Sequence, residues 1–196
     1  MAGLILPNIC HNADANGFRI IEIVRPGCGS STPISDRSIN SISQINLEIA
    51  DAFGIENFAI LGGSGGGHHA LASGRLAGSQ CIAQLKVTRV APFDDPNFDF
   101  LAGMAEEHRE ARLLSLTCRE EFEDSISKKA TEWSSPVQLW IGTKDVNFPP
   151  AHADYLKRII LNSDLFIVED KNHLTISEPA IKEGFKWLRG FFASPG

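Results

Sequence analysis

Apolar residues recur along this chain with two alternating periods, one near two residues and one near 3.6. Phe18-Arg19-Ile20-Ile21-Glu22-Ile23-Val24 is β-branched and apolar and runs into Pro26 and Gly27, which predicts a strand followed by a loop. From Ile39 the spacing lengthens. Ile39, Ile42, Ile45, Ile49 and Phe53 stand three or four positions apart, so they share one helix face. Ser38 suits the start of that helix and Gly54 its end. Phe58 to Leu61 predicts a short strand, Gly65 to Ala77 a helix of small residues, and Cys81 to Val90 another strand. Cys10-His11-Asn12 reads as part of an early helix.

Residues 97–133 break this rhythm. They are rich in Glu, Arg, Ala and Leu and predict two short helices, near 105–116 and 119–130. Strands at 137–141 and 165–168 follow, with helices at 149–161 and 178–192. The last helix carries Ile181, Phe185, Leu188 and Phe192 on one side, and Pro179 fits its first turn. Strands alternating with helices predict an α/β fold, a mostly parallel sheet with helices on both faces. The expectation is a single domain over residues 1–196, with 97–133 inserted over the carboxyl ends of the strands, where such sheets bind ligands. No internal repeat or low-complexity stretch interrupts it.

Bulk properties narrow the partners. With 18 basic against 24 acidic residues the net charge is −6, and no Lys/Arg cluster stands out, which argues against nucleic acid. No apolar run approaches the ~20 residues of a membrane span. The opening seven residues lack a basic region and a long apolar stretch, so a signal peptide is not indicated. Cys10, Cys28, Cys81 and Cys118 are spread without C-x-x-C spacing, which favours reduced thiols over a metal site or a disulfide framework. A cytoplasmic protein with no cofactor and no metal is the expectation.

The chemistry concentrates at Gly62-Gly63-Ser64-Gly65-Gly66. This G-x-S-x-G run follows an apolar strand and opens a helix, the setting of a nucleophile elbow. A serine at the apex of so sharp a turn needs neighbours without Cβ atoms, and its Oγ is presented beside a helix N-terminus. The competing reading is a phosphate-binding loop. No G-x-x-x-x-G-K-[ST] run is present, and His68 occupies the third glycine slot of any G-x-G-x-x-G drawn through 62–68.

Three blocks together resemble the α/β-hydrolase superfamily, in particular its small cap-bearing esterase-like and aminopeptidase-like members. They are Arg25-Pro26-Gly27-Cys28-Gly29-Ser30-Ser31, the run Gly62 to Gly66, and the pair Trp140 to Asp145 with Glu169 to His173. The resemblance covers roughly residues 17–192. It implies Ser64 as nucleophile, His173 as general base, Asp145 as the acid that orients it, and the Gly65 N–H as an oxyanion donor. Asp145 lies 81 residues after Ser64 and 28 before His173 (145 − 64 and 173 − 145), the family's order of Ser, Asp, His. Asp94 or Asp95, after the strand that follows the nucleophile helix, is the second candidate for the acid.

The other histidines have other contexts. His68 and His69 fall just after the elbow, His108 in the insertion, His152 at a helix start and His11 near the N-terminus. Phe98, Phe100, Leu101, Met104 and Phe148 are candidates for an acyl pocket or for ordinary packing of the insertion. Two departures from the family stand out. Only 24 residues precede Arg25 and they contain no His-Gly pair, so the loop that gives the second oxyanion donor is not found. The insertion is short for a full cap. The expectation is an α/β-hydrolase fold lacking its first strands, acting on a small acyl substrate, with self-association if a sheet edge is left open. The alternative expectation is a catalytically impaired hydrolase-like binding protein.

Overall fold

The computed structural model describes residues 7–27, 30–35, 38–63, 66–87, 135–146 and 150–192. Among them stand α1 (Pro7–Asn16), α2 (Ile39–Ala52), β1 (Phe58–Gly63), α3 (Gly67–Ala77), β2 (Cys81–Val87), β3 (Val137–Gly142), α4 (Pro150–Ile159), β4 (Ser163–Val168) and α5 (Ser177–Phe192). A single turn of 3₁₀ helix, Gly78–Gln80, joins α3 to β2. The inserted stretch 97–133, with its two expected helices, lies outside the described residues.

The four strands form one parallel sheet in the order β1-β2-β3-β4. Every residue of β3 is buried, as a strand covered on both faces must be. The period of two then sorts the side chains between the two faces. Val137, Leu139 and Leu165 meet Ile39 of α2, Leu71 and Ala72 of α3, Leu156 of α4 and Ile160 just past its end. On the opposite face Ala83 and Leu61 meet Ala13 of α1 and Ile181, Phe185 and Leu188 of α5. Leu85, Trp140, Phe166 and Val168 complete that side against Ile176 and Ala180. The result is three layers, helices α2, α3 and α4 on one face and α1 and α5 on the other.

α2 begins where the sequence says it should. Ser38 Oγ accepts from the Ser41 N–H at 3.0 Å, and Ser41 Oγ accepts from the Ser38 N–H at 2.8 Å. This reciprocal box satisfies donors that a helix start leaves orphaned. Gly54, at φ +64°, ends it.

One expected element is different. Phe18 to Val24 is not a strand of the sheet. Phe18 and Ile20 instead pack by their side chains on the α5 face, with the Phe18 ring 5.6 Å from Phe185 and 5.4 Å from Phe192. Its β-branched, apolar composition suits a packed extended segment, and ladder pairing is a separate condition that composition does not contain. Among the described residues no helix is long and apolar enough to cross a membrane.

Candidate active site

Parallel strands bring their carboxyl ends to one edge. Gly63 pairs with Val87, Val87 with Trp140, and Trp140 with Phe166, so β3 and β4 run two residues beyond the level of Gly63 at this edge. β1 and β3 stand two strand spacings apart, about 10 Å.

The end of β1 is shaped by space. A Cβ on Gly62 would run into the Cβ of Ala70 and come within 2.8 Å of the Gly66 carbonyl oxygen. β1 and α3 therefore pack closely only because position 62 has no side chain. Gly66 differs from what the motif suggested. It has φ −80° and ψ −16°, and a Cβ there would meet nothing within 4 Å. Of these two glycines only Gly62 is dictated by packing. Ser64 and Gly65 lie outside the described residues, as do Asp94 and Asp95.

The ends of β3 and β4 carry the polar chemistry. β3 stops at Gly142, and the Asp145 N–H donates back to the Gly142 carbonyl at 3.1 Å, which turns the acid beneath its own loop. The side chain of Asp145 is fully buried. His173, in the loop after β4, places Nδ1 at 3.0 Å from Asp145 Oδ2, with its own side chain 19% exposed. An ionised carboxylate only accepts, so this bond puts the proton on Nδ1 and leaves Nε2 as the ring's basic nitrogen. A buried charge-assisted bond of this length is directional.

The two loops are clasped to each other. The Thr143 N–H donates to the Val168 carbonyl at 3.0 Å, and the Lys144 N–H to the Lys171 carbonyl at 2.9 Å, which extends the ladder beyond the strands. Thr143 Oγ1 donates to Glu169 Oε2 at 3.2 Å and accepts from the Asp170 N–H at 3.0 Å. Lys144 Nζ lies 2.8 Å from Asp170 Oδ1, though both side chains are mostly exposed and the pair contributes little. Asp170 takes φ +60°, an uncommon conformation that Asp tolerates better than most residues. A Cβ on Gly142 would collide with the Lys171 carbonyl. The histidine loop thus lies directly on the backbone of the acid loop.

Of the residues singled out by sequence, Asp145 and His173 are brought together. His69 lies half-buried on α3 and His11 exposed on α1, so neither shares this edge loop. His108, Phe98, Phe100, Leu101, Met104 and Phe148 lie outside the described residues. Gly142, Thr143 and Asn172 fall within the blocks that carry the resemblance, but the sequence assigns them no role of their own. Asn172-x-x-Thr175 was readable as a capping pattern, whereas the contact of Gly142 with Lys171 has no local signal. Among the described residues no group of three or more potential metal ligands forms.

No protein-family model matches the sequence, and no curated relative does. Solved structures do match in shape. A monoacylglycerol lipase from Paleococcus ferrophilus superposes with a TM-score of 0.71 at 16% identity, over 94% of this chain and 88% of that one. A meta-cleavage product hydrolase from Pseudomonas fluorescens IP01 gives 0.67 at 18% identity, over 94% and 84%. An α/β hydrolase enzyme from a metagenome of lagoon sediments at Mar Chica, Morocco, gives 0.57 at 21% identity, over 81% and 72%. The parallel sheet, the helices on both of its faces and these superpositions lead to one conclusion: the chain has the α/β-hydrolase fold.

Proposed function

We propose that this protein is a serine hydrolase that cleaves an ester or related acyl bond through Ser64, His173 and Asp145. The observation that carries the reading is the 3.0 Å bond between His173 Nδ1 and the buried Asp145, at the sheet edge toward which β1 also runs. Ser64 follows Gly63, the last residue of β1, directly in the chain. The hydrolase enzymes among the structural neighbours support the same reaction class.

The mechanism follows from the roles. His173 Nε2 takes the Ser64 hydroxyl proton as Oγ attacks the acyl carbon. The Gly65 N–H donates to the oxyanion that forms. Asp145 stays ionised and stabilises the imidazolium. His173 returns the proton to the leaving oxygen, the alcohol departs, and an acyl ester on Ser64 remains. Water, deprotonated by His173, then attacks that ester and restores the serine. The substrate is a small acyl compound and no cofactor enters. One domain over residues 1–196, with 97–133 inserted in it, is part of the same proposal.

A fluorophosphonate probe tests this. Labelling of the folded protein is expected, lost in Ser64→Ala and weakened in His173→Ala. Folded protein that takes no label, with no turnover of p-nitrophenyl esters, would replace this reading with that of a hydrolase-like binding protein.

A further inference from the structure

The loop that carries His173 is held in shape around one neighbouring side chain. Asn172 Oδ1 accepts from the Leu174 N–H at 3.0 Å, the Thr175 N–H at 3.0 Å and Thr175 Oγ1 at 3.2 Å. In return the Asn172 N–H donates to Thr175 Oγ1 at 2.9 Å, and the Ile176 N–H donates to the Asn172 carbonyl at 3.1 Å. This is the reciprocal box usually found at a helix start. Here it closes upstream of α5, which begins only at Ser177. His173 is enclosed by it, with the residues on both sides fixed.

The box is poorly suited to holding α5 in place. Asn172 and Thr175 are exposed, so their bonds compete with water and their net stabilisation is modest. α5 is anchored instead by burial of Ile176, Ala180, Ile181, Phe185 and Leu188. What the box does define is the backbone on either side of the histidine. Asp145 holds the ring at Nδ1. A backbone fixed on both sides of the histidine constrains the ring's direction from its other end.

We propose that Asn172 is a positioning residue for His173. Its amide oxygen locks the 172–175 turn and so sets the direction of the imidazole that Asp145 holds at Nδ1. The rate consequence rests on the serine-hydrolase reading above, while the geometric claim does not. The identity of the residue also matters. Asparagine supplies the acceptor without a charge, whereas aspartate would supply it with a negative charge next to the base and favour the imidazolium.

The test uses the full chain with Asn172→Ala, which removes the acceptor, and Asn172→Asp, which keeps it. Two readouts are taken, turnover of a short p-nitrophenyl ester and the low-field proton resonance of the hydrogen-bonded His173 Nδ1–H. Asn172→Ala is expected to lower kcat about tenfold to a hundredfold with KM nearly unchanged, and to broaden the resonance. Asn172→Asp is expected to restore plateau kcat and the sharp resonance, with the acidic limb of the pH profile moved to higher pH. Folded Asn172→Ala with wild-type kcat and a sharp resonance overturns the proposal. If Asn172→Ala fails to fold, Thr175→Val and Thr175→Ser take its place. Loss in the first and recovery in the second support the proposal, and no change in the first overturns it. A wild-type protein without esterase activity would refute the functional reading alone, because the resonance across the same variants still decides the positioning claim.

Discussion

The carboxyl edge of the sheet is organised differently at its two ends. At β3 and β4 the loops are joined by directional bonds, with Thr143, Lys144 and Asp145 each tied to a partner in the loop beyond the neighbouring strand. At β1 the described chain shows a fit of shape, Gly62 against Ala70 and the Gly66 carbonyl. A clasp of hydrogen bonds sets angles, and close packing sets separations. A base and its orienting acid depend on angle, because tautomer and ring direction decide whether a proton can be moved. A tight strand-to-helix turn depends on separation.

The largest effect tests the angular end. On the proposed mechanism Asp145→Asn lowers kcat about 10⁴-fold through the wrong tautomer while the protein remains folded, measured by ester turnover beside circular dichroism. An unaffected kcat would remove the acid from the mechanism.

Next come Gly142 and Gly62, two of the glycines whose neighbours leave no space. Gly142→Ala and Gly62→Ala are expected to destabilise by about 2–4 kcal/mol each in urea unfolding. Gly142→Ala should be the worse, because it pushes on the Lys171 backbone, whereas at Gly62 the first obstacle is a side-chain methyl. The reverse order would mean that the β1 end is the less yielding of the two.

A control lies at the opposite edge of the sheet. Burial of Cys81 at the start of β2 pushes its thiol from 9.0 up to about 11. Below pH 9 both folded and unfolded chains hold this proton, so the contribution is complete and flat. Between pH 9 and 11 the unfolded chain releases it while the folded chain keeps it, so stability falls as pH rises. The loss is roughly 2–3 kcal/mol across that window. Unfolding curves of wild type and Cys81→Ala should differ in their slope with pH there and run parallel below it.

Two smaller effects complete the series. Thr143→Val removes the hydroxyl bridging Glu169 and Asp170 and should cost about 1 kcal/mol, with Thr143→Ser close to wild type. Gly66→Ala enters open space at an ordinary φ and should change stability by no more than about 0.5 kcal/mol. A large loss at Gly66 would show that the turn is tighter than its neighbours indicate.

What the sequence disclosed follows from how local each feature is. α2 was legible because the 3.6-residue spacing and the Ser38 cap are contained in one stretch of chain. β3 and β4 were legible as apolar runs between turns, though β4 starts earlier than its apolar core, at Ser163. Phe18 to Val24 has the pattern of a strand without its pairing. Asp145 and His173 could each be picked out from its place after a strand, and their meeting is a property of the parallel sheet. The support around them could not be read. Gly142 is a strand-end glycine like many others until Lys171, 29 residues later (171 − 142), is laid on it. Gly62 and Gly66, the two outer glycines of the elbow, look equivalent in sequence, and only the three-dimensional neighbours separate them.

Trp140 gives the rim a reporter. Its ring stacks on Phe166 with centroids 4.3 Å apart and planes 12° from parallel, and its Nε1–H donates to Gln138 Oε1 at 3.0 Å. Each ring belongs to a residue two positions before the end of its strand, Gly142 in one case and Val168 in the other. Indole emission shifts to longer wavelength when water reaches the ring. With Trp133 and Trp187 replaced by Phe, the colour of the remaining fluorophore would track whether the roots of both loops stay dry, with or without a substrate in hand.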